Sequence, residues 1–203
     1  MKFADYLYAS LQWAIYILLI LLGVSFFSYN TYPWGYYAPR MGDIAIILLW
    51  IVTIPGILKR FAVTGFLQKV QITLMKSRRR LGVLMYIAAF THYAWMRLFI
   101  YIDFGLPKLS EVPLFETIGL LILVILTPLF ISSNNPSKKF LKDNWQKVHY
   151  LIYIALWLAA IHVSLGSREN FIKYGIPTIL VACAQIASRV KERETIRKIA
   201  VLR

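Results

Sequence analysis

Six apolar runs, each bounded by charged or turn-forming residues, set the pattern of this chain: roughly 8–28, 43–59, 81–102, 115–131, 147–165 and 174–188. Each approaches the ~20 apolar residues that a helix rising ~1.5 Å per residue needs to cross a hydrocarbon core. The pattern predicts an all-α, integral membrane bundle of six transmembrane helices forming one domain, residues 1–203. The first run is too long for a signal-peptide core and lacks a strongly basic start and a small-residue cleavage site, so it is expected to be the first span. The second ends near Pro55 and Gly56 and is expected to tilt or to continue into the next segment. Pro128 and Pro177 fit inside spans where neighbouring groups satisfy the carbonyls they free. Between the second and third runs, Val63, Phe66, Leu67, Val70 and Leu74 recur at helical spacing among polar residues. That spacing predicts an amphipathic helix around 62–77, lying on the inner leaflet.

Composition agrees with the pattern and charge orients it. The 203 residues are 59% hydrophobic and 16% charged, against roughly 45–50% and about 25% in a soluble domain. The net charge of +14 does not point to nucleic acid, because the basic residues are confined to short segments between the runs. With the amino terminus inside, 18 of the 23 bases fall on the cytoplasmic side. Counting acids as well, the inner segments carry +14 and the outer ones zero. Both termini are therefore expected in the cytoplasm. The Lys76 to Arg80 run reads as a positive-inside anchor, with the alternative that Arg80 holds a haem propionate or that the run docks an anionic partner.

Ionisable residues inside a membrane are expensive and usually face a bundle interior or cavity. All three histidines lie within the runs: His92 in the middle of the third, and His149 and His162 toward the two ends of the fifth. A lone one could simply bond across helices; three on two helices suggest axial ligands to haem iron. His149 and His162 are 13 residues apart, a rise of about 20 Å, which excludes a shared iron and suits two haems at different depths. Counted from Arg80 and from Trp145 as interfacial markers, His92 lies about 7.5 Å in depth from His162 and about 12 Å from His149. The depths favour a His92–His162 pair, with His92–His149 the alternative. His149 then lacks an evident histidine partner; Met85, seven residues before His92, is a ligand by chemistry but more often an apolar packer. Arg97 is either a propionate partner or an arginine snorkelling to the outer interface. Tyr93, Trp95, Tyr150 and Tyr153 are candidate packing residues near the ligands. Cys183 is the only cysteine, so any haem is held without covalent attachment.

At these residues the chain resembles the ferric-reductase-like transmembrane family. The matching features are Arg79-Arg80-Leu81-Gly82, then Thr91-His92-Tyr93, then Trp145-Gln146-Lys147-Val148-His149-Tyr150, then His162. The resemblance implies b-type haem, one or two, ligated by these histidines, and electron transfer across the bilayer. Larger members carry two histidines on the third helix and a soluble flavin and nicotinamide domain after the last. This chain has only His92 there and ends soon after the sixth run, so it is expected not to oxidise NADPH alone. It is more similar to the short members, haem-binding membrane subunits of a bacterial periplasmic methionine-sulfoxide reductase system. That likeness implies the bacterial inner membrane, electrons from a cytoplasmic flavoprotein or membrane quinone, delivery to a periplasmic molybdenum-containing reductase, and FMN as an additional cofactor.

The competing expectations are the membrane domain of a split ferric reductase or NADPH-oxidase-like system and, from a different class, a proton-coupled transporter using the histidines as a relay. Every Asp and Glu falls near an expected helix end, which counts against the relay.

Overall fold

A computed structural model describes residues 34–201. The expected first span, 8–28, lies outside them. Helix α1, Trp34–Arg60, runs through Pro39 and Pro55 without a break, beginning nine residues before the expected second span. A four-residue link, in which Ala62 takes a positive φ of 53°, turns the chain into α2, Gly65–Tyr93. The amphipathic segment and the third apolar run are thus one helix, with its register continued through a π turn at Ala94–Leu98 into the short α3, Phe99–Phe104. Nothing in the Lys76 to Arg80 junction breaks a helix: Lys and Arg are good helix formers, and Ser77 is buried within it.

After a loop containing a single 3₁₀ turn comes α4, Leu114–Ile131, which carries Pro128. Two short helices follow, α5 at Asn135–Leu141 and α6 at Asp143–His149. Asn134 caps α5 by accepting from the Ser137 N–H at 2.7 Å. The expected fifth span is α6 plus α7, Leu151–Gly166, articulated at Tyr150, whose N–H is shared between the Gln146 and Lys147 carbonyls at 3.2 Å each. A single turn, α8 at Arg168–Asn170, and a π turn at Phe171–Gly175 lead into α9, Ile176–Val201.

Two antiparallel pairs dominate, α1 with α2 and α4 with α7; α2 packs on α4, and α9 packs on both α1 and α7. The five long helices therefore close a ring. Polar contacts tie its seams: Tyr86 to Thr127 at 3.1 Å between α2 and α4, and Trp50 Nε1 donating to Thr178 at 3.0 Å between α1 and α9. Near their far ends, Arg60 pairs with Glu192 at 3.0 Å. The core runs down one side of the ring interior, with Leu49 and Val52 of α1, Met85 of α2, Leu126 of α4, Leu156 of α7 and Ala182 of α9 buried together. Outward positions such as Val124, Ile154, Leu180 and Ile186 are apolar and exposed, as a surface solvated by lipid requires.

Among the described residues, four stretches are long and apolar enough to cross a membrane: Tyr37–Arg60, Leu114–Ile131, Asp143–Gly166 and Arg168–Lys198. They correspond to the second, fourth, fifth and sixth expected spans. The helix carrying His92 is not among them, because its apolar part is pinched between the Lys76 to Arg80 run and the π turn that carries Arg97.

Candidate functional site

Inside the ring lies a cavity of about 660 Å³, within the roughly 300–1,000 Å³ of small-molecule and cofactor sites. Its walls toward the core are apolar, from Leu49, Met85, Leu123 and Leu126. Its other end, at the starts of α1 and α4, is polar, with Asp43, Arg97, Glu116 and Asn170. His92 and His162 both line it, and His149 and Arg80 are not among its lining residues.

The two cavity histidines are held in the same way. His92 Nδ1 lies 2.8 Å from the Ala38 carbonyl of α1, and His162 Nδ1 lies 2.6 Å from the Phe115 carbonyl of α4. A carbonyl oxygen can only accept, so each Nδ1 carries the proton and donates it, leaving Nε2 with its lone pair as the nitrogen available to a metal. This is the arrangement in which an outer partner fixes the tautomer and ring orientation of a ligating histidine. Each acceptor belongs to the antiparallel partner of the histidine's own helix, so each ring is set by one helical pair.

His149 is built differently. Its Nδ1 donates to the Trp145 carbonyl of its own helix at 3.0 Å, and its ring stacks on Trp145 with centroids 3.9 Å apart. Trp145 is itself fixed by Nε1 donating to the Ser132 carbonyl at 3.0 Å. The site is half-buried and close to the charges of Arg78 and Arg79. Met85 lines the cavity of the other two histidines, whereas His149 does not.

Arg97 lines the polar end of the cavity. From the π turn its guanidinium forks onto Glu116, with Nε donating to Oε2 at 2.5 Å and Nη2 to Oε1. The Glu116 side chain is only 10% exposed. Sequence reasoning passed over this carboxylate because it sits in the first turn of α4, where acids are ordinary. The sign that could have found it is its place in the outermost turn of a span that follows Arg97 across a short loop. Also missed were Gly42 and Gly119, which lie directly beneath the His92 and His162 rings.

A ring of apolar-faced helices enclosing a cavity with two preset imidazoles defines a helical membrane protein built around an internal cofactor-sized site. The chain belongs to the family described as ferric reductase like transmembrane component, which matches residues 41–160 and so includes His92 and His149 but stops just short of His162. It is similar to the protein-methionine-sulfoxide reductase heme-binding subunit MsrQ of Brucella ovis, 35% identical over 104 residues covering 48% of this chain and 46% of that protein. It is likewise similar to MsrQ of Brucella anthropi, 30% identical over 134 residues covering 61% of this chain and 59% of that protein. The chain spans about half the length of the curated relatives it matches. No solved structure gives a significant match.

Proposed function

We propose that this chain is a b-type haem membrane subunit that carries electrons across the bacterial inner membrane, with haem held between His92 and His162. The observation that carries the reading is the pair of imidazoles from separate helical pairs on one cavity, each with Nδ1 committed to a carbonyl. The donor set fits haem: two imidazole Nε2 atoms, walls that are apolar toward the core, and a volume suited to a cofactor. When bound, haem supplies a one-electron iron couple. The protein's part is to hold both rings in one tautomer, to line the core side of the space with apolar side chains, and to confine charge to the end that carries Asp43, Arg97 and Glu116.

His149 is assigned to a second haem or to electron entry, as its position near Arg78 and Arg79 suits a site toward the basic inner face. Arg80 belongs to that face as an anchor. The likeness to the MsrQ heme-binding subunits supports a methionine-sulfoxide reductase as acceptor. We further take that reductase as periplasmic and molybdenum-containing, the donor as a cytoplasmic flavoprotein or membrane quinone, and FMN as an additional cofactor. The topology proposed is six spans with both termini cytoplasmic, the amphipathic segment around 62–77 meeting the inner leaflet as the cytoplasmic end of α2, supported by the one-sided distribution of bases.

The test is an absorption spectrum of protein purified after haem-replete expression. A sharp Soret band with reducible α and β bands is expected, and its complete absence would end the haem reading. Reporter fusions that place the carboxyl terminus outside would refute the topology, and oxidation of the reduced subunit by a periplasmic reductase tests the acceptor.

A further inference from the structure

Gly42 and Gly119 occupy equivalent places beneath the two cavity histidines. Each lies four residues beyond the carbonyl that accepts from the ring: Ala38 then Gly42 on α1, Phe115 then Gly119 on α4. One helical turn therefore presents the acceptor and, directly above it, a bare backbone. A Cβ at Gly42 would stand 3.1 Å from both Cε1 and Nδ1 of His92, and one at Gly119 would stand 2.9 Å from Cε1 and 3.2 Å from Nδ1 of His162. Glycine in a membrane helix often serves close approach of another backbone. Here the three nearest atoms at each position all belong to the imidazole, so it is the ring that uses the space.

We propose that Gly42 and Gly119 are positioning residues, paired seats that let the His92 and His162 rings lie flush against a neighbouring helix while Nδ1 reaches its carbonyl. This rests on the reading of those histidines as haem ligands. A methyl group at either seat pushes the Nδ1–Cε1 edge away, so the ring must give up its carbonyl bond or swing Nε2 from its set direction. The effect is larger at Gly119, where 2.9 Å cannot be accommodated without movement, than at Gly42, where a shift of a few tenths of an ångström suffices.

The experiment uses the full chain in membranes, as Gly42→Ala, Gly119→Ala and Gly82→Ala, the last a position where a Cβ meets nothing within 4 Å. Haem content and the low-temperature paramagnetic resonance spectrum are read for each. Loss of low-spin signal per haem is expected for Gly119→Ala, a smaller loss for Gly42→Ala, and the parental spectrum for Gly82→Ala. Accumulation is measured also in the doubly substituted chains, Gly119→Ala with His162→Ala and Gly42→Ala with His92→Ala. Removing the ring removes the obstacle, so any accumulation lost through the alanine should return to the level of the histidine variant alone. Parental spectra and accumulation in both glycine variants would overturn the proposal, as would an accumulation defect that persists after the ring is deleted, which would assign the glycines to helix packing. Absence of any low-spin signal in the parent would instead strike the haem reading, leaving the coupling between glycine and ring to be judged by accumulation.

Discussion

The three histidines differ in where their Nδ1 protons go. His92 and His162 donate across to another helix, so their rings are oriented by tertiary structure, whereas His149 donates to its own helix and leans on Trp145. Under the proposed function, His92→Ala and His162→Ala should each remove the same low-spin haem signal, because either deletes half of one axial field. His149→Ala should leave that signal in place. Low-temperature paramagnetic resonance of the three variants, each checked for insertion, decides it; a signal lost jointly with His92 and His149 but kept without His162 would reverse the pairing. Arg97 and Glu116 make a second residue-scale prediction. Removing one partner of a fully buried pair costs about 3–5 kcal/mol and of an exposed pair about 0.2–1 kcal/mol; this pair is part-buried, with the Arg97 side chain 30% exposed, and falls between. Arg97→Leu should therefore lower stability by roughly 1–3 kcal/mol. Replacing both partners with leucine should cost clearly less, as read from thermal unfolding in detergent.

At the scale of elements, the π turn at Ala94–Leu98 separates the part of α2 that sets His92 from the part that aims Arg97. Such turns hold one residue more than an α-helix uses, so deleting Ala94 should restore α geometry and leave Arg97 within roughly 30° of its present direction. The expected result is stability closer to the parent than to Arg97→Leu, with the low-spin signal intact, since His92 precedes the turn. Loss of the signal would show instead that the turn positions His92. None of this could be seen in the sequence, where Ala94-Trp95-Met96-Arg97-Leu98 continues a helical pattern without a breaker. The apolar runs were legible because a bilayer demands long uninterrupted stretches, and four of the expected spans match helices long and apolar enough to cross. The fusion of residues 65–93 into one helix was not, because amphipathic and apolar segments were judged by different templates although nothing divides them. The histidines could be read as letters. Their carbonyl partners could not, because the backbone atoms of Ala38 and Phe115 carry no signature of their own, and Glu116 gained its partner only through the packing of α4 beside the π turn.

For the whole molecule, the cavity lies where two helical pairs meet: His92 and its acceptor belong to α1 and α2, His162 and its acceptor to α4 and α7. A ligand bound by both imidazoles bridges the pairs, whereas each pair is already held by its own packing. Ligand that binds only the folded bundle adds RT ln(1 + [L]/Kd), about 2.7 kcal/mol at a hundredfold excess over Kd. Protein produced under haem limitation should therefore melt lower than haem-loaded protein. The excess hydrogen exchange should concentrate at the seam between the pairs, near Tyr86 with Thr127, with the interiors of the two pairs changed less. Such a pattern needs both ligands, so His162→Ala should show the same seam exchange with or without haem supply. Uniform loosening across all helices, or exchange confined to the neighbourhood of His149, would mean that haem does not join the two pairs and would place its main contact elsewhere in the bundle.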